Sequence, residues 1–236
     1  MTQPVCIVTG VGPEKGTGAE IARRFAAGGY HVAMLARNPE NLKALADKYP
    51  GTKAYPCDVS DLDQLTATIA QIKIEMGDPA VVIHNALRST RGSILEMDPR
   101  DLERNFRVNT TALLYLSRAV LPAMQAAGKG AILVTGNTSA TRGKAHWGFF
   151  ASTKASQRIL AESMAREFGP QGIHVAYFLI DASIDTPRTR PMLAADKPDD
   201  YFVKPSAIAN EMFHVAHQDP STWSFLVELR PFGEIW

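Results

Sequence analysis

The sequence predicts an α/β fold of the doubly wound kind, a parallel sheet with helices on both faces. Short β-branched runs alternate along the chain with longer stretches that carry apolar residues at helical spacing. The first of those runs feeds directly into a glycine-rich turn and then an amphipathic helix. No internal repeat or low-complexity segment interrupts the alternation.

In order, Val5 to Val8 reads as a first strand and Gly18 to Ala27 as a first helix. His31 to Leu35, Thr52 to Tyr55 and Ala80 to Ile83 read as the next strands, separated by helical patterns at Glu40 to Lys48 and Asp61 to Glu75. A single long helix is expected over Leu102 to Ala127, then a strand at Ala131 to Val134 and a helix at Ala151 to Phe168. Strands at His174 to Phe178 and Ser224 to Val227 flank a helix at Ala207 to Ala216. Such alternation requires right-handed crossovers between parallel strands. Only Ile184 to Pro205, rich in prolines and mixed charges, lacks periodicity, and a long irregular segment there reads as a lid over residues 184–205.

At 236 residues the chain suits one large α/β domain spanning 1–236. A formal charge of +1 gives no long-range attraction to nucleic acid or to an anionic membrane. The stretch Ala112 to Ala127 is too short to span a membrane and holds Arg118 and Pro122. The start lacks a basic segment followed by a long apolar one, so a cytoplasmic protein is expected. Cys6 and Cys57 fall in two apolar runs and read as buried small residues. Glu211, His214 and His217 share one helical face, but with no fourth ligand they read as a polar surface, and no metal is expected.

The turn after the first strand reads Thr9-Gly10-Val11-Gly12-Pro13-Glu14-Lys15-Gly16-Thr17-Gly18. Glycines there permit a tight turn, close approach of backbone to a phosphate, and close packing of helix on sheet. The free N–H groups and positive dipole end of the following helix then face a pyrophosphate. At the end of the second strand, where a carboxylate would accept from a ribose 2′-hydroxyl, the chain has Leu35-Ala36-Arg37-Asn38. Arg37 suits a 2′-phosphate, and Lys15 is placed to approach the same group, which points to NADP(H). Asp58, just after the third strand, suits an adenine amino group.

The glycine-rich turn, Asp58-Val59, His84-Asn85-Ala86, Val108-Asn109 and a helix carrying Lys154 together resemble the short-chain dehydrogenase/reductase family over essentially the whole chain. The resemblance implies a Rossmann-type, doubly wound sheet of seven parallel strands, nicotinamide binding, and a homodimer or homotetramer. It implies cofactor contacts from Gly10, Gly12, Lys15, Gly16, Thr17, Gly18, Arg37, Asp58, Val59, Asn85, Ala86, Lys154, Ile184 and Thr186. In that family the catalytic set is an Asn, a Ser, a Tyr and a Lys. Asn109 and Lys154 match the first and last, while the Tyr position holds Phe150. Ungapped spacing puts Asn137 at the Ser position, and Thr138 or Ser139 supplies the hydroxyl if the loop is displaced slightly. The glycine turn is two residues longer than usual, Leu87 stands where a glycine is common, and Asp181-Ala182 replaces a Pro-Gly.

The substitution matters chemically. A carbonyl oxygen that gains charge during hydride transfer needs a positioned donor, and a phenyl ring has none. Thr138 and Ser139 can donate to an oxyanion, but their hydroxyls are weak acids. His146, Tyr201 and a water held by Lys154 are the other candidate donors, each with an ordinary structural role open to it. Asp181 and Asp185 fall near the nicotinamide end or cap a loop, and Arg188 and Arg190 either meet an anionic substrate or are solvated. Two functions are therefore expected to compete. One is an NADP(H)-dependent oxidoreductase acting on a small carbonyl, alcohol or activated double bond with a non-standard proton donor. The other is an NADP(H)-binding protein without redox turnover, serving as a sensor or assembly partner.

Overall fold

In the computed structural model, which describes residues 3–193 and 196–233, the entirely buried β1 (Val5–Thr9) leads into α1 (Thr17–Ala27). There follow β2 (His31–Ala36), α2 (Pro39–Lys48), β3 (Thr52–Pro56), α3 (Leu62–Met76) and β4 (Pro79–His84). The second half runs α4 (Arg100–Phe106), a π turn (Arg107–Thr111), α5 (Ala112–Ala127), β5 (Gly130–Asn137), α6 (Gly148–Phe168) and β6 (Ile173–Ile180). It ends with β7 (Ser183–Ile184), α7 (Thr189–Leu193), β8 (Phe202–Val203), α8 (Pro205–Ala216) and β9 (Leu226–Leu229).

Seven parallel strands form one sheet in the order β3-β2-β1-β4-β5-β6-β9. Strand side chains alternate between faces, so each strand feeds two cores. Ile7, Ala33, Val82, Ile132 and Tyr177 pack toward α3, α5 and α6, while Cys6, Val8, Met34, Ile83 and Phe178 pack toward α1, α2 and α8. Both cysteines are buried and free. Strand order reverses between β1 and β4, and in open α/β sheets the crevice beyond the strand ends at that point is where ligands bind.

Three segments differ from the sequence reading. The long helix expected over Leu102 to Ala127 is split by the π turn, in which the Asn109 carbonyl takes a hydrogen bond from the Gln157 side chain. Strand β5 continues through Thr135, Gly136 and Asn137 because each pairs with β6, up to Asn137 opposite Ile180. The segment at 184–205 is not structureless. Its ends are joined by pairing of β7 with β8, Ser183 opposite Phe202 and Ile184 opposite Val203. Within it Arg190 grips Asp185 at 2.8 and 3.1 Å and Asp199 at 2.8 Å, and lies 4.2 Å over the Phe202 ring. Ala194 and Ala195, inside the expected lid, lie outside the described residues, as do both ends of the expected domain.

Among the described residues no helix is long and apolar enough to cross a membrane, and no three His, Cys, Asp or Glu side chains come together as metal ligands would. His217 instead meets the Tyr30 hydroxyl at 3.1 Å and the Phe213 carbonyl at 2.7 Å.

Candidate active site

A cleft of about 760 Å³ opens over the C-terminal ends of β1 and β4, where the strand order reverses. Its floor is the glycine-rich turn. Gly10 adopts a left-handed backbone (φ +71°), which only glycine takes without strain. A Cβ on Gly18 would lie 2.4 Å from the Gly10 carbonyl oxygen, so α1 can sit this close to β1 only with a bare Cα. A Cβ on Gly12 would meet nothing within 4 Å, so there the turn presents bare backbone to the cleft. Gly16 caps α1 without a side-chain acceptor, so the first-turn N–H groups are not taken up by a cap side chain. Asn41 of α2 donates to the Gly12 carbonyl at 2.8 Å and holds the turn against the adjoining helix. These features fit a phosphate-bearing dinucleotide: open backbone, a dipole end and no side chain in the way.

Above the turn a hydrogen-bond network ties β1, β4 and β5 together. Asn85 donates to the Gly10 carbonyl at 3.0 Å and accepts from the Thr135 hydroxyl at 3.3 Å. The Thr9 hydroxyl accepts from the backbone N–H groups of Asn85 (3.1 Å) and Ala86 (3.2 Å). His84 Nε2 lies 3.1 Å from the Val108 carbonyl, an acceptor, so Nε2 carries the proton and Nδ1 accepts from Thr9 Oγ1 at 3.3 Å. Full burial, with the nearby Lys154 charge adding to it, pulls the imidazole pKa down to about 3, so His84 is neutral.

The far wall comes from α6. Lys154 is buried, its Nζ donating to the Thr135 carbonyl at 2.8 Å and to Gln157 Oε1 at 2.5 Å. Burial lowers its pKa to about 7. Asn109 is also fully buried. Its side chain accepts from the Arg88 N–H and donates to the Arg88 carbonyl and the Thr153 hydroxyl, each at 2.9 Å. Phe150, 4 % exposed, lines the cleft and is packed by Trp147, with ring centroids 6.0 Å apart.

Of the residues singled out from sequence, Gly10, Gly12, Gly16, Thr17, Gly18, Arg37, Asp58, Val59, Asn85, Ala86, Lys154 and Ile184 all border this one cleft. Arg37 is exposed just after β2 and makes no ion pair among the described residues. Asp58 Oδ1 is taken up by the N–H and hydroxyl of Ser60. Asn137 and Arg188 also border the cleft, whereas Thr138, Ser139, Lys15 and Thr186 do not. Thr138 and Ser139 form a 3-10 turn that Asn137 caps by accepting from the Ser139 N–H at 3.2 Å. Lys15 is exposed and close enough to Asp185 for its charge to help lower that carboxyl's pKa, after the larger effect of Arg190. The Thr186 hydroxyl donates to that of Thr189 at 2.8 Å and accepts from the Thr189 N–H at 3.0 Å. His146 and Tyr201 stand away from the cleft wall. His146 is exposed, with φ +66° and its carbonyl bonded to the Gly92 N–H, and Tyr201 packs edge-on against Phe202. Asp181 faces Arg142 and Arg230, each at 3.7 Å.

Gln157 was missed in the sequence. The available signal was a polar residue three positions after Lys154, hence on the same helix face, in a helix whose neighbouring positions pack inward.

A family described as short chain dehydrogenase matches residues 4–195. An uncharacterized short-chain type dehydrogenase/reductase of Sinorhizobium fredii is 32 % identical over 72 % of this chain and 70 % of its own. A short chain dehydrogenase of Pseudocercospora fijiensis is 31 % identical over 76 % of this chain, which spans only 59 % of that relative. Among solved structures, a metagenomic short-chain oxidoreductase in complex with NADP superposes with a TM-score of 0.84, covering 99 % of both chains at 24 % identity. That last likeness is one of fold.

Proposed function

The chain belongs to the short-chain dehydrogenase/reductase family, and on that premise we propose that it is an NADP(H)-dependent oxidoreductase acting on a small carbonyl, alcohol or activated double bond. The observation that carries this reading is one cleft bordered by the bare glycine turn, an exposed Arg37, Asp58, Asn85 and the buried Lys154. Bound there, the cofactor supplies or accepts hydride. The turn and the start of α1 hold its pyrophosphate, and Arg37 meets the 2′-phosphate through charge-assisted hydrogen bonds. Two of the three Lys154 N–H donors are committed to Thr135 and Gln157, and the third is available to a ribose hydroxyl at the cleft. Asn109 acts through its neighbours, fixing Arg88 and Thr153 where the wall turns.

Phe150 carries no proton, so the acid is another group or a water on Lys154. Asn137, which borders the cleft, offers an amide to a developing oxyanion, while Thr138 and Ser139 need a shift of their turn to reach it. One observation favours a second reading, NADP(H) binding without turnover: an apolar ring borders the cleft at Phe150, four residues before Lys154, and His146 and Tyr201 do not border it. Isothermal titration with NADPH and NADH, followed by NADPH oxidation over a carbonyl and enone panel, tests both readings. Tight NADPH binding with many turnovers supports the enzyme and eliminates the second reading. Tight binding with none across the panel supports the second, and no binding of either nucleotide overturns both.

Exposed apolar residues on α5 (Leu114, Tyr115) and α6 (Ile159) support assembly as a homodimer or homotetramer. Sedimentation equilibrium showing only a monomer at micromolar concentration would overturn that.

A further inference from the structure

Gln157 is fully buried on α6, one turn beyond Lys154. A carboxamide in such a place is costly unless both ends are bonded, and here both are. Its Oε1 accepts from Lys154 Nζ at 2.5 Å, and its Nε2 donates to the Asn109 carbonyl at 2.6 Å. The Tyr177 hydroxyl, reaching up from β6 through the space left by the bare Cα of Gly136, lies 3.4 Å from the same Oε1 and 3.5 Å from the Lys154 carbonyl. The amide thus joins three pieces of the wall: the catalytic-side helix, the π turn and β6.

We propose that Gln157 is a positioning residue for Lys154: its amide oxygen holds the ammonium at the cleft wall, while its amide nitrogen anchors that oxygen to the π turn. The proposal rests on the reading of Lys154 as a contact of the bound cofactor. A leucine would fill a similar volume with no acceptor for the ammonium, and a methionine with only a weak thioether one, so packing alone does not call for this residue. The groups facing Lys154 add little to its charge balance. From β4 comes His84, which is neutral, and from β6 comes Tyr177, whose hydroxyl burial holds protonated. From β5 and the π turn come the carbonyls of Thr135 and Asn109, of which the first accepts from the ammonium directly. With burial alone lowering its pKa, the charged form of Lys154 depends on the two acceptors that it has.

The test is the titration of the Lys154 side chain by NMR in the cofactor-free full chain, its signal assigned by its loss in Lys154→Met. Gln157→Met should move the midpoint down, and Gln157→Glu, which sets a carboxylate against the ammonium, should move it up by about one to three units. For a midpoint near neutrality, a fall of about one unit leaves roughly a tenth of the lysine charged at pH 7. NADPH should then bind about fivefold more weakly to Gln157→Met at pH 7, with the deficit closing as pH is lowered. Unchanged midpoints in both variants would reduce Gln157 to packing and overturn the proposal. Should Gln157→Met fail to fold, the isosteric Gln157→Glu decides alone by the direction of its shift. If the wild-type chain binds no NADPH, the functional reading fails while the Lys154 midpoints still decide the role of Gln157.

Discussion

Gly10 and Ala86 meet backbone to backbone: a Cβ on Gly10 would lie 2.6 Å from both the N and the Cα of Ala86. The contact closes β1 on β4 under the cleft, and the left-handed φ at Gly10 adds strain for any other residue. Gly10→Ala should therefore destabilise the fold by at least about 2 kcal/mol in urea denaturation, since neither strand end can yield to a methyl group. Gly12→Ala is the counterpart, because its methyl would enter open space. It should leave the urea midpoint nearly unchanged and weaken NADPH binding by crowding the phosphate. Equal losses of stability in the two variants would contradict this division between a structural and a binding glycine.

Arg37 is exposed, borders the cleft and pairs with no carboxylate among the described residues. Hydrogen bonds to a charged partner contribute about 1.5–3 kcal/mol, so Arg37→Ala should weaken NADPH binding roughly 10- to 100-fold. NADH, which lacks the 2′-phosphate, should bind Arg37→Ala and wild type alike. Parallel isothermal titrations with the two nucleotides measure the difference, and an equal effect on both would remove Arg37 from the 2′-phosphate site.

His84 supplies an acid-sensitive element in the buried network that ties β1 to β4. Its folded pKa of about 3 lies below the ordinary value of 6.5, so between these pH values the unfolded chain binds the extra proton. The stability tied to neutral His84 is present above pH 6.5 and is lost as pH falls toward 3. In His84→Gln, which keeps hydrogen-bonding capacity without a titrating ring, the stability difference from wild type should shrink as pH drops from 7 to 4. Urea midpoints recorded across that range check it, and a constant difference would place the acid sensitivity elsewhere.

Sequence periodicity found the strands and helices because burial repeats every second or every third to fourth residue, and the sheet has no other way to hide Ile7, Val82 or Ile132. The glycine turn was equally legible, since close backbone approach leaves glycine as its local trace. Contacts between distant elements leave no such trace. That Asn109 spends its side chain on Arg88 and Thr153, and gives its carbonyl to Gln157, depends on the π turn, which apolar spacing over Leu102 to Ala127 conceals. That Asn137 rather than Thr138 or Ser139 borders the cleft depends on how far β5 continues its pairing with β6. Lys15 does not border the cleft, and its charge instead adds a small part to the lowering of the Asp185 pKa.

Phe150 and Lys154 are one helical turn apart on α6 and both border the cleft. A tyrosine at 150 would bring a phenol to the wall that holds the ammonium, and a neighbouring cation lowers a phenol's pKa. If proton supply limits carbonyl reduction, Phe150→Tyr should raise the rate by about 10²–10⁴, the range typical of a general acid. The gain should be greatest at low pH and fall as the new phenol ionises, since only the protonated form donates. NADPH affinity should change little, because the residues that hold the cofactor lie on the turn, at Arg37 and at Lys154, not at Phe150. Single-turnover NADPH oxidation with wild type and Phe150→Tyr on the same carbonyl panel measures this directly. A wild type already as fast as the variant would mean that the donor lies elsewhere in the cleft. A gain confined to the variant would mean that the natural protein keeps the binding site and withholds the acid.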